Sequence, residues 1–171
     1  EGVQAAFVPA GDAEAGRARL ARLVADRALE GFLGERFPRQ GAVEQRIVSL
    51  AGDISDVRDP AHPGWNFFSC RPGTARATLV VDMAPGVEHL VAFPRVGAAS
   101  LAAFYQVGPG GRREELLRLE RPGEGITPVS ARYPLRLDPS LRVDGRARVE
   151  IVLQGPLAQL WTRGGTIFFA R

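Results

Sequence analysis

From Val43 onward the chain is built of short apolar runs cut apart by glycine, proline and small polar clusters, a rhythm that belongs to strands rather than helices. Val43 to Leu50 is compatible with a strand. Runs of strand length follow at Trp65 to Cys70, Ala77 to Met83, Val87 to Phe93, Ser100 to Val107, Glu115 to Leu119, Tyr133 to Leu137, Ala147 to Leu153, Leu157 to Trp161 and Thr166 to Phe169. The segment from Gly52 to Gly64, with its aspartates and Pro60 and Pro63, reads instead as a long polar, turn-rich loop. Leu101 to Val107, Gly108-Pro109-Gly110-Gly111 and Arg112 to Leu119 form the clearest local unit, a hairpin whose glycines supply positive φ. Gly155-Pro156 and Gly164-Gly165 divide the last three runs, so the C-terminus reads as three antiparallel strands.

The opening of the chain has a different period. Residues 1–11 read as an extended lead, and residues 12–31 as one α-helix. Asp12 is placed to accept amide bonds at its N-terminus, and Leu20, Leu23, Val24 and Leu29 lie along one side. Gly31 and Gly34 end it, and Phe37-Pro38 turns the chain away. The fold expected is therefore mostly β: an antiparallel, jelly-roll-like β-sandwich with one N-terminal α-helix, residues 1–171 making a single domain. Composition agrees, since 171 residues with 45% hydrophobic content suit one core, and 20 glycines with 13 prolines would break long helices repeatedly.

Charge and composition then remove several kinds of chemistry. All 22 basic residues are Arg, so no lysine can form a Schiff base. The net charge of +3 is spread among interspersed acids and bases, as in Arg112-Arg113-Glu114-Glu115, which argues against a nucleic-acid partner. No run reaches the roughly 18 apolar residues of a membrane span. The two histidines, His62 and His89, have no second ligand at metal spacing, and Asp53, Asp56 and Asp59 lack the glycine and terminal glutamate of a calcium loop. No metal or cofactor is expected. Ser69-Cys70 sits in an apolar run without a nucleophile elbow, where a buried, inert thiol is the ordinary outcome. Paired carboxylates converge only in space, and nothing in the spacing singles out a pair. No catalytic residue is assigned, and the chain reads as a non-enzyme.

What remains are side chains suited to binding. Trp65, Tyr105, Tyr133 and Trp161 are of the kind that stack on sugars or anchor a protein partner, and Arg95 and Arg163 are suited to a carboxylate. The plainer reading of the same aromatics is sandwich packing.

The order of features from position 79 to 161 also resembles a known family. His89-Leu-Val-Ala-Phe-Pro-Arg-Val-Gly-Ala-Ala-Ser-Leu-Ala-Ala-Phe-Tyr105, then Gly108-Pro-Gly-Gly-Arg-Arg-Glu-Glu-Leu-Leu117 and Arg132-Tyr-Pro-Leu-Arg-Leu-Asp138, resemble the extracytoplasmic jelly-roll sensor domains of bacterial diverse-intracellular-signalling receptors. The resemblance implies a sensory domain ahead of membrane helices and carries over no functional residue. The N-terminal helix and the aspartate-rich segment depart from its pattern. With Glu1 in place of Met, the chain reads as a processed, extracytoplasmic one, periplasmic or secreted, tethered or free. The function expected is a non-enzymatic binding or sensory domain for a carbohydrate or small carboxylate. The alternative is a structural or accessory subunit of an envelope-associated complex, held by protein partners.

Overall fold

The computed structural model describes residues 43–58, 63–121, 129–130 and 132–170. The lead over 1–11, the helix over 12–31 and His62 lie outside the described residues. In chain order the strands are β1 (Gln45–Ala51), β2 (Ile54–Arg58), β3 (Trp65–Cys70), β4 (Arg76–Met83), β5 (His89–Ala92), β6 (Pro94–Val96), β7 (Ser100–Val107), β8 (Arg113–Arg121), β9 (Val129–Ser130), β10 (Tyr133–Arg136), β11 (Arg148–Gln154), β12 (Ala158–Arg163) and β13 (Phe169–Ala170). Short 3-10 turns lie at Pro109–Gly111 and Pro139–Leu141. Among the described residues no helix is long and apolar enough to cross a membrane.

One layer, the front, is a five-stranded sheet in the order β1-β4-β11-β7-β8. The back layer consists of a three-stranded sheet, β10-β5-β13, and a five-stranded one, β2-β3-β12-β6-β9. These two meet along a single line of chain. β5 and β6 are separated by Phe93, whose carbonyl accepts a 3.0 Å hydrogen bond from the Trp161 amide. β9 and β10 keep one register against that line, Val129 opposite Val96 and Tyr133 opposite Ala92. β12 and β13 flank its other side, interrupted by the tight turn between Arg163 and Thr166. All pairings between named strands are antiparallel, and the two layers make a jelly-roll-like β-sandwich.

Strand alternation decides which side chains meet between the layers. Ala77, Leu79, Val81 and Met83 of β4, Val149, Ile151 and Leu153 of β11, and Ala102 and Phe104 of β7 point inward from the front. Phe68, Cys70, Leu90, Ala92, Val96, Leu135, Ala158, Leu160 and Phe168 meet them from the back. Phe104 and Phe168 touch edge to face across the gap at 6.2 Å. Side-chain amides also tie the layers. The Gln106 side chain donates to the Asp138 carbonyl at 2.9 Å and accepts from the Asp138 amide at 2.7 Å. The Gln45 Oε1 accepts from the amides of Ile167 and Phe168 at 2.9 Å each, and its Nε2 donates to the Phe168 carbonyl. Each satisfies backbone groups that would otherwise be costly to bury.

Most of the expected runs are strands, and the β7–β8 hairpin is present, with Gly110 and Gly111 at φ of 66° and 77° as its turn requires. Two expectations are corrected. The stretch expected to be loop over Gly52 to Gly64 contains β2, which pairs with β3 from Ile54 opposite Cys70 to Arg58 opposite Asn66. An edge strand needs a ladder on one side only, and polar side chains support this one: Asn66 donates to Asp56 at 2.9 Å, and the Ser55 and Ser69 hydroxyls bond at 3.0 Å. The last three runs do not form one ladder either, and only the Arg163–Thr166 bridge links the second to the third. β11 lies between β4 and β7 in the front layer, whereas β12 and β13 belong to the back. Gly155 makes the crossing at φ of 86°, and a Cβ there would stand 2.4 Å from the Ala99 carbonyl oxygen, so only glycine fits.

Candidate functional site

The sandwich has two outer faces, and the six residues singled out from sequence divide between them and one edge. On the back layer Phe68, Cys70, Ala158 and Leu160 point inward, so Trp65, Phe67, Ser69, Gln159, Trp161 and Arg163 point outward. Arg95 faces the same way, in register with Gln159. Trp65, Arg95, Trp161 and Arg163 therefore share one face, with Trp65 directly opposite Arg163. Their rings are packed rather than open. Trp65 and Trp161 are each 6% exposed. Trp65 meets Phe93 at 5.9 Å and Phe169 at 6.0 Å, those two meet at 5.7 Å, and Trp161 lies 5.6 Å from Phe67. Of the two readings of Trp65 and Trp161, stacking platform or sandwich packing, their burial fits the second, since contiguous aromatic surface gains more from burial than from exposure. Tyr133 stands on β10, the edge strand, half-buried and opposite Ala92.

Tyr105 is on the other outer face. Inward alternation of Ala102, Phe104 and Gln106 turns Leu101, Ala103 and Tyr105 outward from β7, and Val152 of β11 joins them in a small buried cluster beneath the Tyr105 ring. Around it the register places Glu150 of β11 and Glu115 of β8 opposite Tyr105, Arg118 opposite Ala103, Glu120 opposite Leu101, and Arg113 opposite Val107. The Arg113 guanidinium carbon lies 3.6 Å from the Tyr105 ring centroid, a cation–π contact, and the same guanidinium pairs with Glu150. Arg118 donates to the Tyr105 hydroxyl at 3.2 Å and to Glu120 at 3.3 Å, with Glu115 at 3.7 Å. One row further, Arg148 holds Asp82 through two bonds of 2.7 and 3.2 Å. Those bonds, against the opposing effect of burial, hold the Asp82 carboxyl below its ordinary range, and the charges of Arg148, Arg46 and Arg146 add to them.

The arrangement offers hydrogen-bond donors and acceptors side by side. Cys70 is buried between the layers with its thiol donating to the Leu153 carbonyl, and burial pushes it up from its ordinary value. Among the described residues no group of three or more His, Cys, Asp or Glu side chains gathers as a metal site would require. Reading the residues one at a time finds Tyr105 and misses Arg113, Arg118, Glu115, Glu120 and Glu150. The hairpin turn was the available signal for four of these, because fixing it sets which β8 side chains stand beside Tyr105. Glu150 is 45 positions away from Tyr105 along the chain, and no local pattern pairs them.

No family model and no curated protein sequence matches the chain. The solved structures similar to it include two at 13% identity. One is TmCBM61, a carbohydrate-binding module in complex with β-1,4-galactotriose, with a TM-score of 0.40 over 74% of this chain and 88% of that one. The other is the enzymatically active domain of bacteriophage CBA120 tailspike protein 4, with a TM-score of 0.38 over 75% of this chain and 18% of that one. At this distance neither transfers a residue or an activity, and the sandwich architecture stands on the strand order itself.

Proposed function

We propose that this is a non-enzymatic binding domain whose ligand, a carbohydrate or small carboxylate, is held on the outer face of the front layer around Tyr105. The observation that carries the proposal is the aromatic ring fixed by two arginines and bordered by carboxylates. It rests on the buried Leu101, Ala103 and Val152, so the polar groups are held in place before a ligand arrives. Sugar hydroxyls both donate and accept, which matches a surface where guanidinium N–H groups and carboxylate oxygens stand side by side. An extracytoplasmic location, and a sensory role ahead of a membrane segment, are the narrower form of this proposal and draw on the family resemblance over positions 79 to 161.

The test is a thermal-shift panel of oligosaccharides and organic acids, followed by titration of any hit against Tyr105→Ala. Binding that falls at least about tenfold in the variant, roughly 1.4 kcal/mol, is expected. A flat panel overturns the proposal.

A second reading, a subunit of a larger envelope-associated assembly, is favoured by β1, the outermost strand of the front layer among the described residues. On β1, Ile47 and Leu50 stand on the inward side, opposite the buried Val81 and Leu79, yet are 43% and 50% exposed. Under this reading Ile47→Asp and Leu50→Asp release the chain from its complex without lowering its melting temperature.

A further inference from the structure

The charges around Tyr105 bear on which ligand it takes, and this inference rests on the binding role proposed above. Arg113 is engaged by Glu150, Arg118 by Glu115 and Glu120, and Arg148 by Asp82. A ligand carboxylate arriving at Arg113 or Arg118 would have to displace a carboxylate of the protein or sit beside it, and like charges held that close repel. An uncharged hydroxyl meets no such conflict. Each guanidinium has five N–H donors and each carboxylate about four acceptor positions, so the pairs leave both kinds of group free to bond a hydroxyl that donates and accepts together. The Tyr105 ring, with Arg113 over one face, the Leu101, Ala103 and Val152 cluster against it and Arg118 at its hydroxyl, holds these groups in place without adding charge.

We infer that the Tyr105 face selects uncharged, polyhydroxylated ligands, neutral oligosaccharides rather than organic acids or acidic sugars. Its affinity is then nearly insensitive to salt, because no net charge is neutralised on binding.

The experiment is isothermal titration of the full chain with neutral oligosaccharides of glucose, galactose, mannose and xylose and with oligogalacturonates of equal length, at low and at moderate salt, repeated with Tyr105→Ala and Glu115→Gln/Glu120→Gln. Support would be a neutral ligand bound at least about tenfold tighter than any uronate, with less than about a twofold change across salt, loss in Tyr105→Ala, and stronger uronate binding once both glutamates are neutral. Tighter uronate binding that weakens with salt and is lost in Tyr105→Ala overturns the selectivity while leaving the binding role standing. Neutral binding that survives Tyr105→Ala, or no binding of either class, overturns the site and the selectivity together.

Discussion

The two outer faces of the sandwich use the same kinds of residue to opposite ends. The back face gathers its rings into two groups, Trp65 with Phe93 and Phe169, and Phe67 with Trp161, and all but the half-buried Phe67 are buried. Among the described residues the front face has one aromatic, Tyr105, surrounded by ion pairs that remain in reach of water. Among the described residues, aromatic abundance on the back face therefore goes with packing, whereas the Tyr105 ring goes with charged partners. Where rings adjoin, each covers its neighbours and the area removed from water is large. Where one ring adjoins guanidinium groups, it is fixed in place while its surroundings stay solvated.

The sharpest way to break this contrast is Trp161→Ala. As a packing residue it should cost about 3–5 kcal/mol in denaturant unfolding, the usual range for removing a buried large aromatic. A loss below about 1 kcal/mol would return Trp161 to the list of surface binding residues. Next in size is Gln106→Ala, which strands the Asp138 amide and carbonyl between the layers and should cost about 1–3 kcal/mol. A neutral result would mean that the layers are held by apolar contact alone. Tyr105→Ala should lower stability by only about 1 kcal/mol, because its packing is partial and its cation–π contact lies at the surface, while ligand binding falls at least about tenfold. The two aromatic substitutions thus separate stability from binding.

The smallest effect concerns acid. Because Asp82 has a lowered carboxyl value in the folded state, its contribution to stability is full above the ordinary carboxylate range and is lost as pH falls from there through the folded value. Asp82→Asn should therefore lower the melting temperature slightly at neutral pH and flatten its fall on the acid side. An unchanged acid limb would show that the Arg148 pair contributes nothing, as many exposed pairs do.

The centre of the front layer was legible because β4 alternates cleanly and β11 keeps the same inward period. β4 and β11 each place a buried apolar residue at every second position, and the β7–β8 turn announces itself through Gly110 and Gly111. The elements missed were those without that signal. β2 is polar and lies at an edge, β6 spans three residues and starts with Pro94, and β9 has only two. Of the six side chains singled out, Tyr105 reached the candidate site. Four others went to the opposite face because alternation says that a residue leaves the core without saying what covers it.

The sequence by itself determined the fold class, the strand periodicity, the β7–β8 hairpin and the absence of lysine chemistry, since each depends on neighbours within a few residues. The tertiary structure alone decided that β11 lies between β4 and β7 while β12 crosses to the back. It also brought Glu150 beside Tyr105 and Arg113, and left the back-face rings packed in two groups and the Tyr105 ring among charges. The physical reason is range. Backbone sterics and the period of two act locally, whereas strand pairing, burial and the cancelling of charge depend on groups that meet only once the chain has closed on itself.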